Sequence, residues 1–144
     1  MPAPSRSPFQ YAVLRAVPDV ERGECMNVGV VLLARTRDFL AVRVALDEAR
    51  LRALSPATDP APLAAHLEGL ARIGAGDPSA GPIARLPAPQ RFHWLVAPAS
   101  TVVRPSAVHT GLCDDPAAMI ERLYERLVAS PEGEASGHRA PPVG

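Results

Sequence analysis

The chain has 144 residues, 47 % apolar and 21 % charged, with fifteen Arg, no Lys and fifteen acids for a formal net charge of +0; that length suits one core, because two would each be near the size where burial becomes marginal. A neutral total excludes the global field that holds a phosphate backbone or an anionic bilayer, so nucleic acid is not an expected partner. No stretch approaches the roughly 18 apolar residues of a membrane span, and the N-terminus MPAPSRSPFQ lacks the apolar run of a secretory signal, so a cytoplasmic chain is expected, with Cys25 and Cys113 as free thiols.

Residues 1–8 and 130–144 are rich in Pro, Ser and Gly without periodicity, and both are expected to be disordered around a single domain at 9–129. Residues 9–17 alternate Phe9, Tyr11, Val13 with Ala12, Leu14, Ala16 and stop at Pro18-Asp19, which predicts a strand. In residues 25–34 (CMNVGVVLLA) valine and leucine fall on both parities, the pattern of a central strand covered on both faces. Residues 39–46 alternate Leu40, Val42, Val44, Leu46 with Ala41, Arg43, Ala45, a strand with one wet face. Asp47 caps a short helix over 47–54. Asp59-Pro60 opens a helix to Ile73, with Leu63, Leu67 and Leu70 on one stripe before Gly74 and Gly76.

The Gly- and Pro-rich stretch 75–90 reads as a surface loop, and residues 91–97 (RFHWLVA) and 101–104 (TVVR) read as two further strands around Pro98. Asp115-Pro116 repeats the cap-plus-proline start of a last helix, to Ala129, with Met119, Ile120, Leu123 and Leu127 as its apolar stripe. The order βββαββα lacks a regular βαβ alternation, so the expected class is α+β: an antiparallel sheet of about four to five strands, helices packed on one face, and 25–34 central.

The polar residues of the first two strands are the sharpest local feature. Arg15 shares the parity of Tyr11 and Val13, and Asn27 is surrounded by valines, so both are drawn toward the interior. A buried guanidinium needs a carboxylate or several carbonyls, and Asp19 or Glu24 is placed to supply one across the hairpin. Arg15, Asp19, Glu24 and Asn27, with Arg91 and His109 from the C-terminal half, form the candidate polar cluster. It either fixes the hairpin's register, binds a ligand, or carries catalysis. Gly29, without companion glycines, reads as a close-packing or bulge position and not as a phosphate cradle.

These same stretches carry a resemblance. Arg15-Ala16-Val17-Pro18-Asp19, then Glu24-Cys25-Met26-Asn27-Val28-Gly29-Val30, Arg91-Phe92-His93-Trp94 and His109-Thr110-Gly111 resemble a family of small bacterial proteins known as domain of unknown function 3037. The resemblance covers about residues 9–129 and implies no activity. Some members are encoded beside HipA-like kinases, which implies such a kinase as a protein partner.

Cysteine chemistry would need Cys25 with His93 or His109 as base, but a cysteine opening a buried strand is more simply a small apolar residue. His66, His93, His109 and His138 show no HExxH and no pairing with the cysteines, so no metal or other cofactor is expected. Asp115 reads as a helix cap occupying the place an anion would take, and Trp94 as a core anchor. The leading functional expectation is an accessory or regulatory protein that binds another protein. The alternatives are a small enzyme or binding module acting on a nucleotide or phosphoryl compound with Arg15, Glu24, Asn27, Arg91 and His109 in one pocket, and a nucleic-acid binder using Arg50, Arg52, Arg85 and Arg91.

Overall fold

The computed structural model describes residues 6–98 and 101–129; the expectations for the outer termini, with His138, fall outside these residues. Strand β1 (Ser7–Ala16) and strand β2 (Met26–Ala34) form an antiparallel hairpin closed by the Asp19 turn, and a 3-10 turn at Arg35–Arg37 leads into strand β3 (Phe39–Val44). β1 begins at Ser7, itself buried, two residues earlier than its apolar pattern indicates. Helices α1 (Glu48–Leu54) and α2 (Pro60–Ala75) follow, each capped as expected: Asp47 accepts from the Arg50 N–H and Asp59 from the Ala61 N–H, satisfying donors no helix can pair internally.

The second half departs from the sequence reading. Residues 91–95 belong to helix α3 (Ala88–Leu95) and not to a strand. Phe92, Trp94 and Val96 alternate, but Ala88, Phe92 and Leu95 also stand at i, i+4 and i+7, and Pro89 in the first turn favours the helix. The stretch 75–90 is shaped by two 3-10 turns, Pro78–Ala80 and Pro82–Arg85. Strand β4 (Val103–Pro105) overlaps the expected strand, while β5 (His109–Cys113) stands where the sequence suggests only the approach to helix α4 (Pro116–Leu127).

Among the described residues five strands make one antiparallel sheet in the order β3-β2-β1, with β4 and β5 end to end along the outer edge of β1. Between them Ser106 keeps the ladder going: its N–H donates to the Val13 carbonyl at 2.8 Å and its Oγ accepts from the Val13 N–H at 2.9 Å. β2 is buried throughout except half-buried Asn27, as a central strand should be.

Helices cover both faces of the sheet, not one. On the first, α1, α2 and α3 pack Leu51, Leu63, Leu67, Leu70 and Phe92 against Leu14, Val28, Val31 and Leu33. On the second, α4 packs Ile120 and Leu123 against Phe9, Val30, Leu32 and Ala34. The two long helices come from opposite ends of the chain, so their separation into two layers is invisible to a stripe-by-stripe reading. Gly74 lets α2 close on β3, since a Cβ there would overlap the Val42 side chain, whose own Cβ would lie 2.9 Å away. Gly76, at φ 74°, ends the helix in the left-handed region that favours glycine.

Candidate functional site

A bulge in β2 decides where the first polar residues point. Leu14 opposes Gly29 but Arg15 opposes Asn27, so Val28 is the extra residue. An inserted residue exchanges the faces of everything beyond it. Val28 and Val31 therefore both serve the α1–α3 face, while Asn27 joins Val30 on the α4 face. There the Asn27 Nδ2 donates to the Leu127 carbonyl at 2.9 Å and caps the last turn of α4. Gly29 has the close-packing role expected of it: a Cβ would stand 3.0 Å from the Arg43 carbonyl oxygen and 3.0 Å from the Val44 side chain.

Arg15 lies on the same face but is exposed, not drawn into the interior. Its cross-strand partner on the other side is Arg104 of β4. Directly opposed residues share a face of the sheet, so two guanidinium-bearing residues stand side by side. Among the described residues the Arg15 side chain makes no hydrogen bond or ion pair, and Arg104 donates through Nε to the Thr101 carbonyl at 3.0 Å.

The other candidates go elsewhere. Asp19 accepts from the Glu21 and Arg22 N–H groups and shapes the hairpin turn. Glu24 pairs with Arg22 at 2.9 Å instead of Arg15, and that hydrogen bond holds the Glu24 carboxyl below its ordinary range while raising the Arg22 guanidinium. Arg91 sits beyond the sheet, on α3, where it donates to the Leu86 carbonyl at 2.6 Å and the Gly74 carbonyl at 3.4 Å, tying the end of α2 to the following turns. Its Nε is buried without a hydrogen-bond partner among the described residues. His109, exposed on β5, lies against Tyr11 with ring centroids 5.2 Å apart and the rings tilted by 35°. The structure thus brings Arg15 and Asn27 together and puts His109 on their face, with the sheet between them and Arg91. The five residues of the phosphoryl-pocket alternative do not converge.

Cys25 is exposed, not buried at the head of a strand, and Cys113 is a buried free thiol whose pKa burial pushes up. Asp115 accepts from the Ala117 N–H and is the cap of α4.

One concavity among the described residues is absent from the expectations drawn from the sequence. An apolar groove runs between α2 and the chain leading into β4. Its first compartment, about 500 Å³, is walled by Pro62, Leu63 and His66 on one side and Thr101 and Val102 on the other. The second, about 300 Å³, shares His66 and Thr101 and continues past Leu70, Trp94 and Pro98. Trp94 is 44 % exposed, a groove rim and not the core anchor expected, and Val102 is 41 % exposed. The one available sign was that helical phase of 88–95 placing Phe92 and Trp94 on different sides; the groove itself joins residues some 35 positions apart in sequence and has no local signature.

A family model described as Protein of unknown function (DUF3037) matches residues 11–128. No curated protein and no solved structure matches the chain.

Proposed function

The chain belongs to the DUF3037 family, and we propose that it is a non-enzymatic accessory or regulatory module that binds another protein through the groove between α2 and β4. What carries the reading is the groove's composition. Two contiguous compartments are lined mainly by apolar groups, and two of the large hydrophobic side chains that remain exposed, Trp94 and Val102, stand at it. Scattered exposed valines need no explanation, but a contiguous apolar depression with a tryptophan at its rim is what protein interfaces use as an anchor site. A phosphoryl ligand fits poorly, since the nearest carboxylate, Asp59, lies in the lining and already holds the first turn of α2. The family resemblance supplies a HipA-like kinase as the first partner to test.

A photo-crosslinking residue in place of Trp94 or Val102, in the full chain in its native cell, is expected to yield one discrete protein adduct. The same residue at Val20, 60 % exposed in the hairpin turn, should yield none. Absence of a protein adduct from both groove positions would sink the reading.

A further inference from the structure

We propose that the uncovered strip of the second face, beside α4, binds single-stranded nucleic acid, with Tyr11 and His109 against its bases and Arg15, Arg104, Arg122 and Arg126 on its phosphates. The strip is separate from the groove, which opens on the other face, where Val103 and Pro105 line it. It exists because α4 is set off-centre. The helix packs on β2 and β3, so the β1 side of this face, with β4 and β5 beyond it, lies open. Tyr11 and Arg15 project there from β1 with buried Val13 between them, and His109 and Arg104 are their cross-strand partners. Directly opposed residues share a face of the sheet. The strip therefore carries two rings at one end and two guanidinium groups at the other, about 13 Å apart along the strand.

Helix α4 adds a wall. Glu121 pairs with Arg43 at 2.8 Å and Tyr124 lies under the same guanidinium, so that side of the helix faces β3. With Ile120 and Leu123 on the sheet, the helical period puts Arg122 and Arg126, one turn apart and both exposed, on the opposite side, toward β1, and Glu125 on the outward face. Arg122 acts on the Cys113 thiol of β5, where its charge offsets part of the burial that raises that pKa. The formal net charge of +0 thus conceals a segregation. Among the described residues the side chains of Arg15, Arg122 and Arg126 form no hydrogen bond or ion pair, and Arg104 donates to the Thr101 carbonyl alone. The acids at the ends of the strip are engaged, Glu24 on Arg22 and Asp115 on the cap of α4. An acidic peptide would use the arginines and leave the rings idle. Single-stranded nucleic acid uses both, since bases of any sequence stack on aromatic faces while arginines track the backbone. Four guanidinium groups on one strip supply locally the attraction that the neutral total does not supply globally.

The test titrates a fluorescein-labelled twelve-nucleotide oligothymidylate with the full chain and follows its anisotropy. Binding is expected at low salt and should weaken with a log–log salt slope of roughly −2 to −3, the value for three or four phosphates of a single strand. Arg15→Gln/Arg126→Gln should lower affinity about tenfold or more and flatten that slope by about 1.4. His109→Ala should weaken binding about fivefold or more, and His109→Phe should restore it, because the ring and not its charge meets the base. Arg50→Gln/Arg52→Gln, at exposed positions of α1, should leave affinity at the parent's. All these variants change exposed side chains and should melt with the parent. No binding at low salt, a parent-like slope in Arg15→Gln/Arg126→Gln, an equal loss in Arg50→Gln/Arg52→Gln, or full affinity in His109→Ala each overturns the proposal. Tighter binding of a twelve-residue oligoglutamate than of the oligothymidylate assigns the strip to an acidic protein segment and overturns it too. Every one of these failures leaves the groove reading standing.

Discussion

The two faces of the sheet are closed in different ways. Three helices seal the first with leucine, valine and Phe92, and α2 is pressed so close to β3 that only a glycine fits at position 74. Among the described residues a single helix, α4, covers the second, and polar contacts supplement its packing there: Asn27 on the Leu127 carbonyl, Arg43 on Glu121, and the Arg43 guanidinium 4.1 Å from the Tyr124 ring centroid. Arg15 is exposed on this second face. The difference teaches that stability is concentrated on the α1–α3 side, while the other side keeps charged groups accessible around one helix.

The comparison breaks first on large side chains. Phe92, on α3, is 2 % exposed in the core between the helices and the sheet, and Phe92→Ala is expected to cost about 3–5 kcal/mol. Leu123→Ala, in the layer of one helix that can settle toward the sheet, should fall near the low end of about 2–5 kcal/mol. Urea denaturation of both variants measures the difference, and a larger loss at Leu123 would reverse the assignment of the stronger face.

A sharper test keeps one helix and one substitution. Gly74→Ala should destabilise by about 1–3 kcal/mol, because the added methyl group overlaps Val42. Gly69→Ala, five residues earlier in α2 with nothing within 4 Å of the added carbon, should stabilise by about 0.5–1 kcal/mol through helix propensity alone. Thermal melts moving in the same direction for both would show that α2 does not pack on β3 as described.

The smallest effect belongs to the polar side. Asn27→Ala leaves the Leu127 carbonyl without its cap and is expected to cost about 0.5–1.5 kcal/mol. Hydrogen exchange should rise in the last turn of α4 and stay unchanged in α2. Equal acceleration in both helices would mean that Asn27 supports the hairpin as a whole and not α4.

How much of this was legible depends on the range of the forces involved. The Asp47, Asp59 and Asp115 caps, the stripes of α2 and α4 and the two-sided burial of 25–34 rest on interactions within a few residues, and each stands in the structure as its local pattern predicts. The antiparallel α+β class follows from the order of those elements. Residues 88–95 carry both periods at once, and only the space beside α2 selects the helix, which places Phe92 in the core and Trp94 at a groove. β5 holds a glycine whose added Cβ would stand 2.8 Å from the ring of Phe9, and it becomes a strand because β1 offers it an edge.

The candidate cluster shows the same division. Arg15 and Asn27 stand out in sequence as polar groups among valines, yet nothing local reveals that a bulge at Val28 turns Asn27 toward α4, or that Arg15 meets Arg104 from ninety residues away. By itself the sequence determined where helices start, which strand is central and which residues are chemically conspicuous, because propensity, capping and hydrophobic period act over one or two turns of chain. The faces those residues occupy, the partners they find and the groove between α2 and β4 were decided only by the tertiary structure, since register and layer assignment are properties of segments that meet after the chain has folded back on itself.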